Sequence, residues 1–179
     1  MTLHLMIDLE TLGTGPDCVI LQIAAVPFDS AGLRPKLHDF FLPRLDIDEQ
    51  LKLGRKIEDG TLRWWATGHA DKFGVIMSTR VTKTFYEALS ELCAYIKRMN
   101  PACIWSHGAT FDIPILTHAF YQSGLEWPCK YNCFRDTRTL LWMEGISSFA
   151  DIPETNENAH NALADANYQA RCVSLLLGS

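Results

Sequence analysis

The chain has 179 residues, of which 47% are apolar and 21% charged, the proportions of an ordinary soluble globular domain large enough to bury its own core. No apolar run approaches the ~18 residues of a membrane span, and Met1-Thr2-Leu3-His4 lacks the basic start of a secretory leader, so one cytoplasmic domain over 1–179 is expected. The net charge of −5 argues against a polyanionic partner, unless several acids gather around divalent cations that reverse the local field.

In chain order, residues 3–9 (LHLMIDL) read as a strand, closed by turn chemistry at Gly13-Thr14-Gly15-Pro16. Residues 19–28 read as a second, β-branched strand and 36–42, after Pro35, as a third, so an antiparallel meander comes first. The stretch 43–83 is polar, carries Gly54, Gly60, Gly68 and Gly74, and is expected to be a loop with one short helix around Trp64-Trp65. Thr84-x-x-Glu87 then has the form of a capping box, and Phe85, Ala88, Leu89, Leu92, Ile96 and Met99 follow on one helical face until Asn100-Pro101. Residues 102–106 read as a short buried strand, 111–122 as a helix, 133–143 as a strand-to-helix step and 162–177 as the last helix. The order βββ-α-β-α-β-α implies an α/β fold, a mixed five-stranded sheet flanked by helices. The six cysteines, at 18, 93, 103, 129, 133 and 172, are expected to be reduced thiols, and no second pair follows Cys129 and Cys133 at zinc spacing.

Five residues stand where elements end. Asp8 and Glu10 lie two apart at the exit of the first strand, so both carboxylates point to one side. Asp112 sits where a helix begins after a glycine turn, and His160 precedes Asp165 by five residues at the entrance of the last helix. Singly, each has a bland reading: acids facing water at a strand end, a helix N-terminal acid favoured by the macrodipole, a surface histidine. Together, four carboxylates and a histidine match what two-metal phosphodiester cleavage requires: hard oxygen donors for two cations and a near-neutral proton acceptor.

Met6-Ile7-Asp8-Leu9-Glu10-Thr11, Ala109-Thr110-Phe111-Asp112 and His160-Asn161-Ala162-Leu163-Ala164-Asp165-Ala166 resemble, in order, the three exonuclease motifs of the DnaQ-like (DEDDh) superfamily. Glu10-Thr11-Leu12-Gly13-Thr14-Gly15-Pro16 and Arg135-Asp136-Thr137-Arg138-Thr139-Leu140 look most like its exonuclease VIII-like and mycobacterial-type 3′→5′ exoribonuclease group of phage and bacteria. The resemblance implies an RNase H-like fold, and a 3′→5′ exonuclease releasing nucleoside 5′-monophosphates from single-stranded ends. It implies two Mg²⁺ or Mn²⁺ held by Asp8, Glu10, Asp112 and Asp165, with His160 as general base. DNA is favoured slightly over RNA; a nucleic-acid-binding module without chemistry is the alternative of another class. The cellular setting implied is the cytoplasm of a bacterium or phage-infected host, and dimerisation occurs in several relatives. Many relatives carry His-Asn where this chain has His107-Gly108, which puts a substrate contact there in question.

Thr11, Leu12 and Gly13 follow the metal acids and, by the resemblance, hold the terminal nucleotide. Phe111 either stacks on a base or fills the core. Trp64-Trp65 beside Arg63 is either a stacking patch or buried, and Asp136 either supports the site or is structural. Arg55, Lys56, Lys130, Arg135 and Arg138 are candidate phosphate contacts. Gly13-x-Gly15 precedes a strand and not a helix, so it is no dinucleotide fingerprint, and neither a Walker A sequence nor a nucleophile elbow is present.

Overall fold

A computed structural model describes residues 2–29, 40–156 and 158–178. Strand β1 (Leu3–Thr11) pairs antiparallel with β2 (Ile20–Asp29) along its whole length, from Leu3 opposite Asp29 to Thr11 opposite Ile20. The register shifts between Glu10 and Thr11, an irregularity of the kind that re-aims side chains beside functional sites. Three helices come next: α1 (Ile47–Lys52), α2 (Asp59–Gly68) and α3 (Ala70–Ser78). Helix α4 (Phe85–Met99) starts at a two-way capping box between Thr84 and Glu87 and stops at Asn100, which takes a left-handed φ of 44° ahead of Pro101. Then come β3 (Cys103–Ser106), α5 (Asp112–Gln122), β4 (Phe134–Asp136), α6 (Thr137–Met143) and α7 (Ala162–Leu177).

The sheet order is β2-β1-β3-β4, with β1, β3 and β4 parallel. Alternation along β1 splits the core. Leu5, Ile7 and Leu9 join Phe85, Leu89, Leu92 and Ile96 of α4 and Ile115, Leu116 and Phe120 of α5 on one face. Met6 meets Trp105 and the alanine stripe Ala162, Ala166 and Ala170 of α7 on the other, where small side chains let the helix lie close to the sheet. The even-numbered positions of β1, Asp8 and Glu10 among them, therefore face α7.

Two sequence expectations need correction. Among the described residues the sheet has four strands, not five. Most of the expected third strand of the meander falls outside the described residues. Its last part and the two residues after it run beside β2 through isolated pairings, Phe41 with Ala25 and then Arg44 with Gln22, and Pro43 between them has no amide hydrogen to continue a ladder. The stretch 43–83 also holds three helices where one was expected. Asp46 caps α1, and buried Gln50 docks it by bonding both the amide and the carbonyl of Ile20, at 2.9 and 2.8 Å. Trp65 and Ile76 anchor α2 and α3 in a third cluster with Leu12, Val19 and Leu21. A side chain at Gly60, Gly68 or Gly74 would meet nothing within 4 Å; these glycines sit on open helix surface and mark no loop.

Candidate active site

Asp8 and Glu10 leave β1 on the face covered by α7, and Asp165, in the first turn of α7, points back at them. Carboxylate oxygens of Asp8, Glu10 and Asp165 all lie within 4.8 Å of one another. Asp112, the first residue of α5 and only 3% exposed, lines the same cavity of about 620 Å³ as Asp8, Glu10 and His160. The four acids therefore converge at the carboxyl ends of the neighbouring parallel strands β1 and β3, where open α/β sheets form their binding crevice.

So much negative charge in so little water is costly. Burial, then the Asp112, Glu10 and Asp165 carboxylates, push Asp8 well above the usual carboxylate range. Glu10 is pushed up to about 8 by burial and by Asp165 and Asp112. Burial raises Asp112 to about 8 although the amides of Leu9 and of Asp112 itself pull the other way, and burial raises Asp165 as well. Hard oxygen donors at this spacing, short of positive charge, fit divalent cations, which would restore the ionised forms. Hydrogen bonds fix the orientations: Gln169 Nε2 donates to Asp8 Oδ1 at 2.8 Å, the Asn156 amide donates to Asp165 Oδ1, and the His160 backbone N–H donates to Asp165 Oδ2 at 2.9 Å.

His160 reaches that amide geometry through a left-handed φ of 65°, just before Asn161 caps α7. Its ring centroid lies 4.1 Å from that of His69 and 5.0 Å from that of Trp64. Burial, with His69 and Lys72 adding to it and Asp165 opposing, lowers its pKa, so the neutral, proton-accepting imidazole is favoured at neutral pH.

Of the residues expected to hold substrate, Thr11, Gly13 and Phe111 line the cavity. Leu12 is 2% exposed and packs into the core with Val19 and Trp65. The tryptophan pair divides: Trp65 is buried and its Nε1 donates to the Thr11 carbonyl at 2.9 Å, whereas Trp64 is 43% exposed and lines the cavity. Arg55 is not a surface phosphate contact. It is buried and donates to the carbonyl oxygens of Cys18 and Pro16. Lys56 pairs with Asp17, and Arg135 turns back on the carbonyls of Asn132 and Phe134. Asp136 caps α6 and accepts the Ala109 amide at 2.6 Å, tying α6 to the turn that carries Asp112. Arg138 lines the cavity. Four contributors, Gln169, Asn156, His69 and Glu58, had no sequence expectation. Gln169 lies four residues after Asp165 and so on the same helix face, the one signal that could have found it. His69 and Glu58 carry no such mark; Glu58 accepts the Gly15 amide at 3.0 Å and the Thr14 hydroxyl, shaping the 13–15 turn.

Nucleases of known structure share this fold. The nuclease domain of 3′hExo, a DEDDh family member crystallised with rAMP, superposes with a TM-score of 0.63 at 15% identity, covering 98% of this chain and 91% of that one. E. coli exonuclease I in complex with a 5cy-dA13 oligonucleotide superposes with a TM-score of 0.63 at 14% identity over 98% of this chain, which spans only 41% of that protein. In sequence, an exodeoxyribonuclease of Enterobacteria phage T4 is 22% identical over 160 residues, 76% of this chain and 69% of the phage protein. The profile of the 3′-5′ exoribonuclease Rv2179c-like domain matches residues 3–177, and the chain belongs to that family.

Proposed function

We propose that this chain removes nucleoside 5′-monophosphates one at a time from the 3′ ends of single-stranded nucleic acid, with Asp8, Glu10, Asp112 and Asp165 holding two Mg²⁺ or Mn²⁺ and His160 acting as general base. The convergence of Asp8, Glu10 and Asp165 oxygens within 4.8 Å carries the reading. When bound, the two cations supply charge stabilisation to the attacking and leaving oxygens of an in-line displacement. The protein's own part is positional. Gln169 and Asn156 hold Asp8 and Asp165 in place, so little reorganisation accompanies the reaction. His160, neutral and at the cavity wall, takes a proton from the attacking water. Thr11, Gly13 and Phe111 line the space for the terminal nucleotide, and Leu12 supports their turn from the core.

Single-stranded DNA is the first reading, supported by the likeness to the phage exodeoxyribonuclease and to the oligonucleotide-bound exonuclease I. RNA is the second reading, favoured by the family's description and the rAMP in 3′hExo. Incubation of 5′-labelled single-stranded DNA and RNA with Mg²⁺ or Mn²⁺ should give a ladder shortening from the 3′ end, abolished by EDTA and by Asp8→Ala or Asp165→Ala. Undiminished cleavage by either variant would overturn the assignment.

A further inference from the structure

The active-site cavity has a neighbour that shares two of its lining residues. Past His107 and Arg138, which line both spaces, lies a second cavity of about 620 Å³ walled by Leu141, Trp142, Ile146 and Phe149. Arg138 and Trp142 stand four residues apart on α6, on one face of the helix. Trp142 is 78% exposed. One exposed aromatic residue on a surface means little; this one lines a cavity that shares His107 and Arg138 with the active-site cavity, and it follows that shared cation on α6.

The junction itself is shaped for that cation. Gly108 has a φ of 100°, and a side chain added to it would lie 3.2 Å from Arg138 Nη1 and 3.3 Å from Cζ. The glycine thus leaves a bed over which the guanidinium lies, at the rim of both cavities. Among the described residues no carboxylate forms an ion pair with Arg138, so its donors stay available to an anion. On the other side, past His160, the neighbouring space is smaller, about 400 Å³, and offers Lys72 but no Phe, Tyr or Trp ring.

A polynucleotide entering by its 3′ end must lead the rest of its strand out of the site, and each step of that strand brings a phosphate and a stackable base. Resting on the nuclease reading above, we propose that the upstream strand leaves over α6, a phosphate held by Arg138 and a base stacked on Trp142. The second cavity is then a subsite for single-stranded polynucleotide beyond the terminal nucleotide, and it governs KM for oligomers and not the hydrolytic step.

The test compares two substrates in steady state with Mn²⁺: single-stranded DNA and RNA oligomers, and the p-nitrophenyl esters of thymidine and uridine 5′-monophosphate, which present a terminal nucleotide with no upstream strand. Trp142→Ala should raise the oligomer KM about 10-fold, as loss of one base stack does, with kcat and ester hydrolysis at wild-type levels. Trp142→Phe should restore most of the oligomer KM. Arg138→Gln should also raise oligomer KM and shrink the slope of log KM against log salt by about 0.7, the signature of one lost phosphate contact on a single strand. An unchanged oligomer KM in Trp142→Ala overturns the proposal. So does an equal loss on both substrates, and so does an oligomer-specific loss in Lys72→Gln with Trp142→Ala unaffected. A wild-type protein that cleaves neither substrate removes the nuclease reading and this path with it; one that cleaves both while Trp142→Ala behaves identically removes the path alone.

Discussion

At the scale of single residues, the site depends on how its acids are held. Asp8 lies among three other carboxylates, and the Gln169 amide is what orients it, at 2.8 Å. Partners of metal-binding groups are commonly worth 10- to 100-fold in metal affinity or activity, and Gln169→Leu should weaken Mn²⁺-dependent cleavage by about that factor, read from a Mn²⁺ titration of the rate. The same substitution deletes a buried oxygen with no hydrogen-bond partner, Gln169 Oε1, and also takes the donor from Asp8 Oδ1; the two effects oppose each other, so thermal stability should change little while activity falls. That contrast separates a positioning role from general damage. His160 tests a different step. His160→Gln keeps a polar side chain but removes the proton acceptor, and kcat should fall by about 10²- to 10⁴-fold with little change in KM, measured on a labelled oligomer.

At the scale of elements, a strand exit, a turn and three short helices have to agree. Trp65 on α2 reaches across to the Thr11 carbonyl at the register shift of β1, at 2.9 Å. Trp65→Phe keeps most of the apolar burial and leaves that carbonyl without its donor, an expected loss of about 1–3 kcal/mol in a denaturant melt, with oligomer KM rising because Thr11 lines the cavity. This part of the molecule was the least legible in the sequence, and the reason is physical. Ile47, Trp65 and Ile76 each carry a short helix into the core almost singly, so no 3.6-residue repeat builds up, and glycines on open surface imitate loop composition. Helix α4 was legible because its capping box and a run of six apolar residues agree. The acids were legible for another reason: each stands at an element end, where the backbone itself aims the side chain. Gln169 was not, since a glutamine inside a helix looks like solvated surface until Asp8 is seen opposite it.

At the scale of the whole molecule, the acidic cluster couples folding to pH and, on the proposed function, to divalent metal. In the unfolded chain its carboxylates titrate near ~4; in the fold Glu10 and Asp112 titrate at about 8 and Asp8 is raised well above its usual range. Between those limits the folded protein keeps protons that the unfolded chain has released, so the free energy of unfolding falls as pH rises. The contribution is complete below the unfolded value and lost as pH climbs through the folded one. Chelated protein should therefore melt at a lower temperature at about pH 8 than at about pH 5.5. Divalent cations bind the ionised carboxylates, so Mn²⁺ should raise the melting temperature more at the higher pH. Asp8→Asn removes one of the coupled charges: it should raise the chelated melting temperature at the higher pH, flatten the pH dependence and shrink the Mn²⁺ shift, while abolishing cleavage. A melting temperature in chelator that does not fall with pH would mean that the four carboxylates do not share one desolvated pocket. The −5 net charge of the chain would then lie dispersed over the surface, with no concentrated field to draw two cations and, through them, a phosphate backbone.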